Sequence, residues 1–285
     1  MSSTEKIKST IKSTAKTKKI TGAMELVAAS KLGRTQKHMA KSKPFSESIL
    51  EMLGHIASSN SEYRHPLLQD NKKRNKIGYI VVSSDRGLCG GLNQNLFKTT
   101  LEHIGKWPHK NIKFCLLGNK ANGFFSKFGA DVLGSTTDIG DNLKIKDVVG
   151  MVQIMLNAYL NQEIDAIFLC YNQFKSTMNQ QPIVRQLAPI VSIKQDNHPA
   201  HWDYIYEPEA KDVVESLAKR YIESMVYQAA IENVACEQAS RMIAMKNATD
   251  NAQEIIDDLK LIYNKVRQAA ITQELAEIIG GAGAV

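Results

Sequence analysis

A stretch near the C-terminal end of the chain, Glu209 to Ile279, contains neither proline nor glycine. Pro208 stands directly before it and Gly280 directly after it. Proline at a helix start and glycine past its end are typical helix boundaries. The stretch therefore predicts one helix of about 70 residues, about 105 Å long. Because the core of a small globular domain cannot cover a helix of that length, the helix needs a partner.

The second half of this helix indicates what kind of partner it has. Its apolar residues recur mostly at alternating steps of four and three, which is the spacing of a coiled-coil seam. They are Ile255, Leu259, Ile262, Val266, Ala269, Ala276 and Ile279. A core helix of a larger protein is the alternative, and the length of the helix without internal caps makes it the less favoured one.

Residues 3–59 predict a second long helix. One apolar face runs through Ile7, Ile11, Ala15, Ile20, Met24, Val27, Ala28 and Leu32, and continues at Phe45, Ile49, Met52 and Ile56. Gly22, Gly33 and Gly54 are tolerable at about 1 kcal/mol each relative to alanine. Pro44 is expected to kink the helix or to break it briefly.

Between the two helices the sequence period changes. Residues 76–83, 112–117, 131–133 and 164–171 are apolar runs that predict buried strands, and residues 92–106, 121–128 and 145–160 predict the helices between them. This alternation is typical of a parallel sheet with helices on its faces. Residues 180–191, with two prolines, predict an edge strand. Residues 58–75 form a polar linker and 196–208 a loop.

The predicted fold class is therefore α/β, with three parts: an N-terminal helix at 1–60, a central α/β domain at 75–195 and a C-terminal helix at 209–285. Both long helices attach to one central body, so their pairing must be antiparallel. The C-terminal helix is longer by about 15 residues, or about 20 Å. Its tip, residues 271–285, is mostly apolar and is expected to project beyond the pair.

Charge is unevenly distributed in this chain, whose net charge is +7. Residues 1–43 contain ten lysines and Arg34 against only Glu5 and Glu25, whereas the C-terminal helix has twelve acids and eight bases. This pattern favours pairing of the two helices and an acidic partner for the surplus positive charge. Nucleic acid or a membrane surface is an alternative partner, but the basic stretch has no interleaved aromatic residues and no known DNA-binding motif.

Cysteine usage and hydropathy indicate the environment of the chain. None of the four cysteines, Cys89, Cys115, Cys170 and Cys236, lies within CxxC spacing of another. We expect all four to be reduced, with Cys115 and Cys170 in buried strands, as in a cytosolic protein. The sequence contains no run of 18 apolar residues, so no membrane span is predicted. The N-terminus also lacks the apolar core of a secretory signal.

One turn could carry chemistry. Residues 83–93 (SSDRGLCGGLN) follow the first strand and open a helix, where a phosphate-binding loop would lie. The turn fits neither GxGxxG nor GxxxxGK[ST], so a tight strand-to-helix turn is the favoured interpretation. A nucleotide-binding enzyme using the Asp85–Asn93 loop is the alternative. The scattered histidines and acidic residues form no catalytic or metal-binding pattern, and no cofactor is predicted.

Three stretches resemble the γ subunits of F-type ATP synthases. They are Ile20 to Lys31 (ITGAMELVAASK), Ser84 to Asn93 (SDRGLCGGLN), and the C-terminal pair Ser240 to Ala252 (SRMIAMKNATDNA) with Tyr263 to Ala282 (YNKVRQAAITQELAEIIGGA). The resemblance covers the whole chain in the right order. The start at Met1 and the lack of an inserted cysteine-bearing loop are similar to bacterial members.

The resemblance implies an antiparallel coiled coil with a Rossmann-like central domain at its base. It also implies a rotor shaft without a catalytic site of its own. Such a shaft couples proton flow through a ring of c subunits to ATP synthesis or hydrolysis in a ring of α and β subunits, with ε beside the central domain. The implied location is the cytoplasmic face of the bacterial inner membrane, where the chain associates only through the complex and binds no nucleic acid.

The resemblance also implies contact residues. Met24 lies where the family's shaft meets an acidic loop of β, and Lys31 ends the same motif. Arg241, Gln268 and Thr272 lie where the C-terminal helix contacts the α/β ring. Two positions depart from the family, because Gly22 and Gly33 stand where a basic residue is common, which weakens the basic patch.

Overall fold

The fold is described from a computed structural model, which covers residues 3–58, 66–68, 75–107, 111–138, 140, 143–190 and 210–282. The helices are α1 (Ser3–Ser58), α2 (Leu92–Gly105), α3 (Asn119–Phe125), α4 (Ile145–Leu160) and α5 (Ala210–Ala282). The strands are β1 (Lys76–Val82), β2 (Asn111–Leu117), β3 (Asp131–Thr136), β4 (Ala166–Ser176) and β5 (Asn179–Ala188). Short 3₁₀ turns lie at Pro66–Leu68 and Ser126–Phe128. The predicted 196–208 loop and most of the 58–75 linker fall outside the described residues.

The chain packs as two compact units. The helical unit comprises Met1–Ala29 and Arg241–Val285, and the central unit comprises Ser30–Ser240. The long helices α1 and α5 each contribute to both units. The division at 1–60, 75–195 and 209–285 follows secondary structure rather than packing, and it stays a prediction.

The five strands of the central unit form one sheet in the order β3-β2-β1-β4-β5. Strands β1 to β4 run parallel to one another. Strand β5 lies at one edge of the sheet and is antiparallel to β4. The predicted parallel sheet and its edge strand are thus confirmed. Strands β3 and β4 extend further than predicted, to Thr136 and Ser176.

Alternate residues of the strands fill two apolar cores. On β1, Ile80 and Val82 face a core shared with α4 and the first part of α5, while Tyr79 and Val81 face a core shared with α2 and α3. Because side chains alternate across a strand, a strand covered by helices on both faces is apolar throughout. This is why the sequence of β1 shows a continuous apolar run.

In the helical unit, α1 and α5 pack side by side and antiparallel. The hydroxyl oxygens of Thr21 and Thr249 are 2.7 Å apart, and the Nζ of Lys18 donates to Oε1 of Gln253 at 2.6 Å. The partner number on α5 rises as the number on α1 falls, which shows the antiparallel direction. The predicted antiparallel pairing is therefore confirmed.

The seam between these helices differs from the predicted one. On each helix, one set of buried and half-buried residues steps by four and three. On α1 they are Ile7, Ile11, Thr14, Lys18, Thr21, Glu25 and Ala28, and on α5 they are Met245, Thr249, Ala252, Ile256, Leu259, Tyr263 and Val266. Leu259 and Val266 were predicted correctly.

Nine apolar residues predicted to lie on the contact faces are exposed instead: Ile20, Val27, Phe45, Met52, Ile255, Ile262, Ala269, Ala276 and Ile279. The predictions followed apolar residues alone, whereas the actual seam contains threonine, lysine and glutamate. A polar residue in a seam carries no hydrophobic signal, so the neighbouring apolar stripe was mistaken for the contact face.

Of the two predicted effects of Pro44, the break is wrong, since Pro44 lies inside the continuous helix α1, and the kink stays a prediction. Proline removes one backbone donor and leaves the carbonyl of residue 40 without its helical partner. Both Pro44 and Ala40 are exposed. Water can therefore bind the carbonyl, which lowers the cost of the interruption.

The connection from β2 to α3 depends on Gly118. Its φ is +96°, and a Cβ atom there would lie 2.4 Å from the carbonyl oxygen of Ser83. We expect Gly118→Ala to lower the free energy of unfolding by about 3 kcal/mol or more, since it adds both a steric overlap and an unfavourable φ. Denaturant titration of the purified chain measures this loss.

Gly123→Ala is the matched control, because Gly123 lies in α3 and a Cβ atom added there would meet nothing within 4 Å. There we expect a gain of about 0.5–1 kcal/mol from helix propensity. Equal stability of the two variants would contradict the close approach of Gly118 to Ser83.

Candidate partner-binding surface

The turn at residues 83–93, where a phosphate could bind, is held by the chain's own groups. The backbone N–H groups of Asn119 and Asp138 both donate to Oδ1 of Asp85, at 3.0 and 3.2 Å. Asn93 accepts a bond from the N–H of Ser84 and donates to its hydroxyl oxygen. The carboxylate of Asp85 thus ties the turn to the start of α3 and to the end of the β3 segment, which is a structural role.

An open groove of about 720 Å³ lies beside this turn. Its walls include Leu88, Phe97, Leu101 and Phe124, and its polar rim is formed by residues such as Lys98 and Glu102. The Lys98 ammonium and Glu102 carboxylate form an exposed ion pair at 4.0 Å. The groove is therefore mainly apolar. Together with the Asp85 contacts, this favours the turn as a structural element.

The surroundings of the four cysteines indicate a structural role and not a catalytic one. All four are free and buried. Burial raises the pKa of Cys115 to about 12, and burial likewise raises the pKa of Cys170 to about 12. Since the thiolate is the reactive form, these two thiols are unreactive near neutral pH. Within the described residues, no group of three or more His, Cys, Asp or Glu could hold a metal ion.

Several exposed apolar residues lie on α1 and α5. On α1 of the helical unit, Ile20, Leu26 and Val27 are exposed. On α5, every residue from Arg267 to Ile279 is exposed, including Ile271, Leu275, Ile278 and Ile279. Large exposed apolar surfaces mark interaction sites. A helix end without packing on any side is only marginally stable in water, so this segment calls for a partner.

Two of the predicted contact residues lie within this segment. The hydroxyl of Thr272 donates to the carbonyl oxygen of Gln268 at 2.9 Å, and both side chains are exposed. They lie on one stripe of α5 with Leu261, Leu275 and Ile279, because these positions are separated by steps of seven, four, three and four. Leu261 was missed from the sequence, although its spacing from Gln268 gives the signal.

The other predicted contact residues are less exposed. Met24 is half-buried in the helical unit, one position along α1 from the seam residue Glu25. Lys31 is half-buried in the central unit. Arg241 is only 9% exposed, although it begins the C-terminal part of the helical unit. The structure therefore brings together Gln268 and Thr272, and places the other three separately.

Glycine is not required at Gly22 or Gly33. A Cβ atom at Gly22 would meet only the side chain of Thr249, at 4.0 Å, and one at Gly33 would meet nothing within 4 Å. Neither residue has a positive φ. A larger side chain fits both positions, so the missing basic residues are not excluded by packing.

Comparison with known proteins gives a consistent result. A family model described as "ATP synthase" matches residues 3–285. The chain is 51% identical over 288 residues to the "ATP synthase gamma chain" of Coxiella burnetii (strain CbuG_Q212), covering 100% of both chains. It is also 51% identical over 289 residues to the protein of the same name from Legionella pneumophila (strain Corby), again covering 100% of both.

Solved structures share the fold. A chain of the central stalk and c-ring of the Tetrahymena thermophila mitochondrial ATP synthase aligns with a TM-score of 0.60 and 22% identity, covering 80% of this chain and 99% of that one. A chain of the Euglena gracilis mitochondrial ATP synthase aligns with a TM-score of 0.58 and 19% identity, covering 92% and 95%. At these identities the likeness establishes the fold.

Two adjacent isoleucines test the position of the seam. Ile256 is 6% exposed and Ile255 is 50% exposed. We expect Ile256→Lys to lower the free energy of unfolding by about 2–4 kcal/mol, because it buries a charge and removes apolar contacts. Ile255→Lys should change it by about 0.5 kcal/mol or less, as for other surface positions. Thermal unfolding of both variants measures the difference, and the opposite order would restore the seam predicted from the sequence.

Proposed function

The chain belongs to the ATP synthase gamma chain family, and from that membership we propose that it is the rotating shaft in the central stalk of an F-type ATP synthase. In this proposal, proton flow through a membrane ring of c subunits turns the shaft. The turning shaft then drives the surrounding α and β subunits through their catalytic cycle. Run in reverse, ATP hydrolysis turns the shaft and pumps protons.

The observation that carries the proposal is the exposed end of α5. Residues 267–279 are exposed on every side, and apolar residues occur all round this part of the helix. An ordinary docking helix presents one apolar stripe to one partner. Apolar residues on all sides instead suit a helix that is surrounded, such as one inside a ring. Apolar contacts have no fixed direction, so they are retained as the helix turns in its bearing.

The surface charge of α1 supports the partners that we propose. Lys8, Lys12, Lys16 and Lys19 are exposed in the helical unit. They suit acidic segments of the β subunits. Contacts between exposed charges are worth about 0–1 kcal/mol each, so they break readily between rotor positions.

Individual contacts follow from the family motif and from exposure. We propose that Met24 and Lys31 meet the acidic loop of β, and that Gln268 and Thr272 meet the α/β ring. Arg241 belongs to the same proposed contact, but it presents the least surface of the five. The ε subunit and the c ring are proposed to bind the central unit.

The chain is proposed to have no catalytic site of its own. The contacts of Asp85 support this, because its carboxylate is engaged by the N–H groups of Asn119 and Asp138 and so holds the loop in place. None of the described helices has a segment long and apolar enough to cross a membrane. We propose a peripheral position at the cytoplasmic face of the bacterial inner membrane, reached through the complex.

Reconstitution tests the function. Purified α and β subunits are combined with ε and with membrane vesicles that carry the c ring, once with this chain and once without it. We expect ATP-driven proton pumping only in the sample that contains the chain. Recovery of the chain with α and β in fixed proportion is the second expected result. Full pumping without the chain would overturn the proposal. So would tight ATP binding by the isolated chain, which would support the enzyme hypothesis.

The exposed end of α5 gives a sharper prediction. A triple variant with Ile271→Ser, Leu275→Ser and Ile278→Ser should leave the thermal unfolding of the isolated chain nearly unchanged, since all three side chains are exposed. Its dissociation constant from the α/β ring should rise at least about tenfold, which corresponds to about 1.4 kcal/mol. A binding titration with labelled chain measures the change.

The matched control carries Gln273→Ser, Glu274→Ser and Glu277→Ser, which change exposed polar residues of the same turns. This control should bind as the original chain does. If the apolar and polar triples bind equally, the apolar surface of α5 is not the bearing contact.

A further inference from the structure

Strands β4 and β5 continue past the end of the sheet as a two-stranded ribbon. The pairing of β1 with β4 ends at Val81 and Cys170, whereas β4 runs on to Ser176. Tyr171 to Ser176 therefore pair only with β5. A two-stranded ribbon is marginally stable by itself and needs support from another element.

That support comes from α5. The backbone N–H of Phe174 donates to Oε1 of Glu232 at 2.9 Å. The Nδ2 of Asn172 donates to Oδ1 of Asn233 at 2.9 Å, and the thiol of Cys236 donates to the carbonyl oxygen of Asn172 at 3.2 Å. Glu232 and Asn233 lie on the same face of α5 as Cys236 because they are four and three residues before it. Three polar contacts thus join one face of the helix to one strand.

A fourth contact joins α5 to the turn after β1. The hydroxyl of Ser240 donates to the carbonyl oxygen of Cys89 at 2.6 Å. Phe174 packs beside both attachments, against a cluster with Leu32, Ala235 and Ala239 and against a cluster with Cys89, Leu92 and Cys236. The four contacts span Glu232 to Ser240, or about 12 Å of the helix.

The contacts of Asn233 and Cys236 are protected from water, and those of Glu232 and Ser240 are partly buried. Asn172 and Asn233 are each 1% exposed, and Cys236 is fully buried. In such surroundings water does not replace a lost bond, so breaking the contact is costly. A hydrogen bond also has a preferred direction, whereas apolar packing tolerates sliding and rotation. Four buried or part-buried bonds on one face therefore resist rotation of α5 about its own axis.

We propose that Glu232, Asn233, Cys236 and Ser240 form a rotational clamp, which positions α5 on the central unit so that the unit and the helix turn together. The inference rests on the proposed function, because only a shaft needs resistance to twist. Ser240 is the last residue of the central unit along α5. Any twist that the central unit receives must therefore enter α5 at or before this clamp.

The test uses the assembled complex with the α/β ring fixed to a surface and the rotor stalled. All four native cysteines are buried, so Lys127→Cys, at an exposed position of the central unit, offers a single site for a bead. The angular fluctuation of the bead then reports the torsional stiffness of the rotor. The variant Glu232→Ala with Ser240→Ala removes two of the four bonds, and it should increase the angular variance about twofold if the bonds act in parallel.

Conservative variants separate a clamp from general stability. Glu232→Gln with Ser240→Thr keeps an oxygen acceptor and a hydroxyl donor, and it should restore the original variance. Thr100→Val is the control, because it removes a buried hydroxyl that lies in α2 and takes no part in the clamp. This hydroxyl donates to the carbonyl oxygen of Leu96 at 2.8 Å. It should lower the unfolding temperature without changing the variance. If the double alanine variant does not assemble, Ser240→Ala alone gives the same comparison with a smaller increase.

Unchanged variance in the alanine variants, with stability lowered as in Thr100→Val, would overturn the clamp and leave these residues a folding role only. That result is distinct from failure of the proposed function. In the latter case the original chain itself would show no ATP-driven rotation in the complex.

Discussion

The antiparallel contact between α1 and α5 is the constraint on which the rest of the structure depends. In the helical unit its seam combines apolar residues with hydrogen-bonded polar ones, above all the Thr21–Thr249 pair. A polar pair in a seam contributes modestly to stability, about 1 kcal/mol, but it favours one register over others. Other large apolar side chains, such as Ile20, Leu26 and Ile262, lie outside this seam and are exposed on the outer surface. The composition of the seam thus determines which surface remains for partners.

The two units hold α5 by different physical means. In the helical unit the helix lies against one neighbour, and its end beyond Val266 is bare. In the central unit it is covered by the sheet and bonded to the β4–β5 ribbon through Asn172 and Phe174. Apolar contacts, which have no preferred direction, suit a surface that must move past its partner. Hydrogen bonds, which have one, suit a surface that must stay fixed against its neighbour. The same helix therefore carries both kinds of surface, separated along its length.

The sequence predicted the elements well because their signals are local. The long helices, the parallel strands and the edge strand follow from apolar period and from the positions of proline and glycine. On α5 the seam was placed correctly at Leu259 and Val266 but one residue too early at Ile255, because the adjacent isoleucines Ile255 and Ile256 give the same apolar signal. On α1 it was missed at Thr21 and Lys18, because threonine and lysine at contact positions carry no apolar signal. Of the candidate surface, Gln268 and Thr272 are exposed as a binding role requires. The bond between Asn172 and Asn233, and the anchoring of two loops by Asp85, join residues far apart in sequence. No local pattern indicates such pairs.

Gly33 has a consequence for how the surface of α1 can vary. It is exposed, a Cβ atom added there would meet nothing within 4 Å, and it lies outside the set of residues that forms the seam. The charge presented by this helix and the fit between the two helices are therefore set by different residues. A lineage of such chains could gain or lose positive charge here, retuning its attraction to acidic neighbours, while the pairing of the helices stays as it is.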